Sequence, residues 1–95
     1  MTPTDLVKRL TQLNGEQAMG WRVIDGALEK RFGFADFHHT MAFVNAVAHV
    51  AHRLDHHPEL RVTYNACVVR WWTHDAQGLS ERDFDAAAQV DTLID

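Results

Sequence analysis

From Phe37 to Leu54 apolar residues recur at helical spacing, and Pro58 closes the run. Phe37, Met41, Val44, Val47, Ala48, Val50, Ala51 and Leu54 fall within one arc at about 100° per residue, which predicts a long amphipathic helix capped by Asp36. Such a stripe must be covered, so the rest of the chain has to supply a second layer. The same wheel sets His38, Asn45, His49, His52 and, were the helix to continue, His56 on the opposite face. Pro58 disfavours a helical His57 and lacks an amide donor. The helix is therefore expected to end at or just before His56-His57, which become its exit turn.

The flanking segments supply the second layer. Thr4-Asp5 can cap a short helix carrying Leu6, Val7, Leu10 and Leu13, with Asn14-Gly15 as its stop signal. From Trp21 to Phe34 an Asp25-Gly26 pair separates two short alternating runs, the sign of a hairpin. Arg61–Asn65 and Ala66–His74 read as two further strands rich in β-branched and aromatic residues, with Cys67, Val69, Trp71 and Thr73 on one face. Gly78 breaks the chain, and Ser80 with Asp83 resembles a capping box before Phe84, Ala87, Val90 and Ile94. The order α-β-β-α-β-β-α predicts an α+β fold: a four-stranded antiparallel sheet with three helices on one face, in one domain over residues 1–95.

Composition narrows the function classes. Nine Lys+Arg against thirteen Asp+Glu give a formal charge of −4, which removes the broad attraction that nucleic-acid and anionic-membrane binders use. No run approaches the roughly 18 apolar residues of a membrane span, and the N-terminus lacks a basic segment followed by an apolar one. A soluble, cytoplasmic protein is expected. The single cysteine, Cys67, excludes an internal disulfide and a multi-cysteine zinc cage. The unusual count is seven histidines, four of them between His49 and His57. Imidazole titrates nearest neutral pH, so grouped histidines can supply an acid and a base together. His56 and His57 leave a helix and His74 ends a strand, positions from which side chains can converge on one pocket.

The stretch HRLDHHPELRVTYNACVVRWWTHDAQGLSERD, His52 to Asp83, resembles the signature of the pterin-4a-carbinolamine dehydratases, also known as dimerisation cofactors of a homeodomain transcription factor. It matches at His52, three residues, His56-His57-Pro58, five residues, Tyr64, nine residues, His74, eight residues, Asp83. The likeness extends to Gly20-Trp21, Phe32-Gly33-Phe34, Asp36-Phe37, Ala42-Phe43-Val44 and Gly78-Leu79-Ser80. It implies a lyase that removes water from a 4a-hydroxytetrahydropterin, a by-product of aromatic amino acid hydroxylases, without metal or organic cofactor. By the same resemblance His56 and His74 form the general acid/base pair and His57 mainly holds substrate. Pro58 and the strand end Thr73-His74-Asp75-Ala76 line the pocket, with His52, Tyr64 and Asp83 as further substrate-binding candidates.

Two positions depart from the family pattern. Many relatives have glutamate where this chain has His52, leaving Asp55 as a partial substitute. Animal-type members carry tryptophan where this chain has Leu60, so a flat stacking partner for the pterin is missing.

Each candidate also has a plainer reading. Asp83 explains itself as a helix cap, favoured here over a site role. Tyr64 reads as half core with its hydroxyl on a backbone group, and Glu29, Lys30, Arg31 and Arg82 as solvent-facing. Trp71 and Trp72 point to opposite sheet faces, so one is exposed unless a second copy covers it, which favours a homodimer or homotetramer. Two rival functions remain: a non-catalytic dimerisation or binding module on the same scaffold, and a metal site from His49, His52 and His56 at i, i+3 and i+7.

Overall fold

The computed structural model describes residues 1–73 and 78–94. Its elements run α1 (Pro3–Asn14), β1 (Arg22–Ile24), β2 (Ala27–Gly33), α2 (Phe37–Leu54), β3 (Glu59–Thr63), β4 (Ala66–Trp71) and α3 (Glu81–Asp91). This is the expected order of three helices and four strands. The strands form one antiparallel sheet in the order β1-β2-β4-β3.

Local chemistry explains the joints. Asp25 and Gly26 both have positive φ, 49° and 76°, as a two-residue hairpin between Ile24 and Ala27 requires. Asp36 caps α2 by accepting the amide of His39 at 2.8 Å. The cap of α1 is Thr2 rather than Thr4: Thr2 and Asp5 form a reciprocal capping box, and Pro3 takes the first helical position, where its missing donor costs nothing. β3 starts two residues earlier than expected, at Glu59, and β4 ends at Trp71.

Leu28, Phe32, Cys67, Val69 and Trp71 make the covered sheet face, and Phe43, Val47 and Ala51 of α2 with Phe84, Ala87 and Val90 of α3 pack onto it. The buried arc of α2 is narrower than the sequence pattern. Phe37 and Ala48 are exposed, whereas Thr40 is buried with its hydroxyl within reach of the carbonyls of Asp36 (2.9 Å) and Tyr64 (3.0 Å). Tyr64 is 64% exposed at the β3–β4 turn and belongs to no core. On the opposite sheet face Arg70 ties all four strands together. It pairs with Glu29 of β2 (3.0 Å) and Glu59 of β3 (3.2 Å), and donates to Ile24 O of β1 (3.1 Å).

Lys30 is not solvent-facing. It bonds Asp91 at 2.9 Å and Gln17 at 2.8 Å, and Asp91 also accepts from the indole nitrogen of buried Trp21 at 3.1 Å. Trp21 is seated by Asn14, whose side chain takes both its amide and its carbonyl. A Cβ on Gly20 would lie 2.2 Å from Asn14 Oδ1, so any larger residue there would push the Asn14 side chain off its two bonds to Trp21. Asp91→Ala strands a half-buried ammonium and an indole N–H, and is expected to lower stability by about 2–3 kcal/mol in urea unfolding. Lys30→Met leaves Asp91 its indole donor and is expected to cost less.

Burial pushes the Cys67 thiol up from 9.0 to about 11. Between these values the unfolded chain binds fewer protons than the folded one, so this group's contribution to stability falls as pH rises through that window. Comparing urea unfolding of wild type and Cys67→Ala from pH 8 to pH 11 should show a shallower decline in the variant.

Candidate active site

The exit of α2 decides which histidine faces inward. Asp55 adopts the left-handed conformation at φ 50°, ψ 45°. Its amide bonds His52 O at 3.2 Å and the amide of His56 bonds Ala51 O at 3.1 Å, the two bonds of a Schellman closure with aspartate in the usual glycine place. This reversal carries His56 off the polar face of the helix and into the protein, where it is 8% exposed, while His49 and His52 remain exposed. The i, i+3, i+7 histidine face therefore does not form, and no group of three metal-ligating side chains occurs among the described residues.

His56 lies between an aromatic plane and a carboxylate. Its ring stacks on Trp71 at 5.2 Å and 27°, and Nε2 is 2.6 Å from Oδ1 of Asp83. Asp83 is fully buried. Its second oxygen accepts from the Thr73 hydroxyl at 2.8 Å and from the Ser80 amide at 2.9 Å. The Ser80 hydroxyl is in turn 2.8 Å from Thr73 Oγ1. The buried carboxylate thus has a partner for each oxygen, the condition for keeping a charge out of water. With Nε2 given to Asp83, Nδ1 is the ring nitrogen left without a protein partner among the described residues. An imidazole oriented by a buried carboxylate, with its other nitrogen free, is an arrangement that transfers protons.

The remaining candidates divide by position. His57 is exposed and Pro58 half-buried, directly after His56 in the exit turn. Thr73 is buried in the Asp83 network rather than offered to a ligand. Asp83 likewise faces His56 and the α3 cap. His52 is exposed one turn back on α2. Tyr64 sits just beyond the far end of β3, six residues and roughly 20 Å of strand from Pro58. His74, Asp75 and Ala76 lie outside the described residues.

Comparison with known proteins bears on this arrangement. The family model described as pterin 4 alpha carbinolamine dehydratase matches residues 1–93. The chain belongs to that family. A Nitrosospira multiformis protein named as a candidate pterin-4-alpha-carbinolamine dehydratase is 49% identical over 87 residues, covering 92% of this chain and 76% of the relative. Another so named, from Paracidovorax citrulli, is 45% identical over 97 residues, covering 99% and 80%. Among solved structures, the transcriptional coactivator/pterin dehydratase from Brucella melitensis superposes with a TM-score of 0.87 at 30% identity, covering 98% of this chain and 96% of its own. A pterin dehydratase-like protein identified as a RuBisCO assembly factor in the alpha-carboxysome gives a TM-score of 0.69 at 25% identity, covering 80% and 90%.

In this pterin-4a-carbinolamine dehydratase family member, sequence reasoning names Asp83 but misses its His56 partner, and misses Trp71 and Arg82. The sequence offers Asp83 as a substrate-binding candidate and, by preference, as a cap, yet a capping carboxylate has two oxygens and the cap engages only one. Its place in the spaced signature was the available signal. The alternation places Trp71 on one sheet face with Cys67, Val69 and Thr73 but names no ring against it, and the sequence leaves Arg82 in solvent. Arg82 instead reaches the carbonyl of Asp55, a contact no local pattern announces.

Proposed function

We propose that this protein dehydrates a 4a-hydroxytetrahydropterin, such as 4a-hydroxytetrahydrobiopterin, to the quinonoid dihydropterin and water, with His56 as the proton-transferring group. The observation that carries the reading is the buried His56–Asp83 pair, which leaves Nδ1 without a protein partner among the described residues. In the reaction the C4a–O bond breaks as Nδ1–H delivers a proton to the departing hydroxyl, which leaves as water. The N5 lone pair forms the new C4a=N5 bond, and the proton on N5 passes to a second base. Protonated leaving oxygen and deprotonated ring nitrogen balance, so no redox partner is required. His74 is proposed as the second base and His57 as a substrate contact, with Pro58, Asp75 and Ala76 bordering the pterin; these assignments rest on the family signature. The function belongs to tetrahydrobiopterin recycling in the cytoplasm, in an assembly of two or four copies, downstream of an aromatic amino acid hydroxylase.

Binding gives a test that does not depend on turnover. Titration with 7,8-dihydropterin, followed through histidine ring resonances, is expected to move His56 and His57 saturably and leave His38 and His49 in place. A flat response at His56 contradicts the reading. The second reading, a binding module without catalysis, is favoured by the likeness to a RuBisCO assembly factor and to a transcriptional coactivator/pterin dehydratase. It expects the same folded protein to ignore pterins.

A further inference from the structure

The first turn of α3 grips the exit of α2 at two successive residues. Asp83 holds the His56 ring, and the preceding Arg82 donates from Nη2 to the carbonyl oxygen of Asp55, the residue before His56, at 3.0 Å. We propose that Arg82 is a positioning residue for His56, its guanidinium fixing the left-handed Asp55 peptide from which the imidazole hangs. This rests on the assignment of His56 as proton donor.

The need for such a clamp follows from the turn itself. Asp55 holds a left-handed conformation that residues other than glycine adopt at a cost. The Schellman bonds fix the amides of Asp55 and His56, but not the Asp55 carbonyl. That carbonyl belongs to the peptide that sets the direction in which His56 leaves the helix. Arg82 satisfies it with a group that is always charged and planar, at a helix C-terminus where a cation complements the dipole. The two grips are complementary. The Asp83 bond fixes the ring at Nε2 and the stack on Trp71 fixes its plane, within which Nδ1 can still swing about Nε2; anchoring the backbone at Asp55 removes that freedom. A general acid works only within hydrogen-bond reach of the leaving oxygen, so both anchors bear on the rate. Arg82 is itself exposed and makes no part of the core, which separates its positioning role from folding.

The test uses the full chain with Arg82→Ala, Arg82→Gln and Arg82→Lys, each shown to be folded at the assay temperature. The variants are compared in kcat, in KM for the carbinolamine, and in histidine ring resonances. Arg82→Ala is expected to lower kcat about tenfold with KM within about twofold, the scale of a misplaced reacting group rather than an absent one. Its His56 resonances should shift and broaden while those of His38 and His49 stay put. Arg82→Lys, whose ammonium can donate to the same carbonyl, should recover more of kcat than Arg82→Gln. Unchanged kcat together with unchanged His56 resonances in Arg82→Ala would overturn the proposal, whatever the change in melting temperature. A wild type without turnover would instead overturn the assigned reaction, and the ring resonances alone would then decide whether Arg82 orders His56.

Discussion

Asp83→Ala is expected to lower stability by about 3–5 kcal/mol, the usual cost of removing one partner from a buried charged pair. Three groups lose their acceptor at once: the His56 ring, the Thr73 hydroxyl and the Ser80 amide. Thr73 and His56 are buried away from bulk water, and Ser80 is half-buried. A domain of this size has roughly 5–15 kcal/mol of stability in total, so the alanine variant should unfold at a much lower urea concentration than wild type. Asp83→Asn separates fold from chemistry. The carboxamide oxygen can still accept from Ser80 and Thr73, holding the stability loss to about 1–2 kcal/mol. The charge that orients the imidazole and balances its protonated form is gone, and kcat should fall roughly 10- to 1,000-fold. Asparagine with wild-type turnover would reduce Asp83 to a helix cap.

The second large effect is expected at His56, and the choice of substitution matters. Alanine would leave the Asp83 carboxylate buried without its imidazole, so a fall in rate would be mixed with a fall in stability. Glutamine can place an amide N–H near the position of Nε2 and donate to Asp83 Oδ1, but it cannot transfer a proton. His56→Gln should therefore remain folded and lose about 10²- to 10⁴-fold in kcat, the usual contribution of a general acid or base. A urea midpoint close to wild type, measured beside the kinetics, assigns that loss to chemistry.

Much of this arrangement was legible because it rests on local rules. The arc of α2, the Asp36 cap, the Asp25-Gly26 hairpin and the alternation of Cys67, Val69, Trp71 and Thr73 each follow from periodicity or turn chemistry, and each is present, the arc without Phe37 and Ala48. The spacing from His52 to Asp83 carried the family. What escaped depends on the third dimension. A helical wheel continued to His56 assigns it to the wrong face, because one left-handed residue at Asp55 reverses the chain and no glycine marks the place. Thr40 is polar by type yet buried, since a tertiary acceptor at Tyr64 joins a local one at Asp36. Lys30 reads as surface until Asp91, 61 residues away, is brought beside it. Tyr64 reads as half core with its hydroxyl on a backbone group, but it occupies a two-residue turn, where the side chain projects outward.

The most direct measurement is the disappearance of freshly generated 4a-hydroxytetrahydropterin, followed by ultraviolet absorbance, with wild type, with His56→Gln and with no protein. Wild type is expected to accelerate the loss well beyond the spontaneous rate and His56→Gln to return it nearly to that rate. Wild type no faster than buffer would contradict the assigned reaction, and His56→Gln as fast as wild type would contradict the role of the buried imidazole.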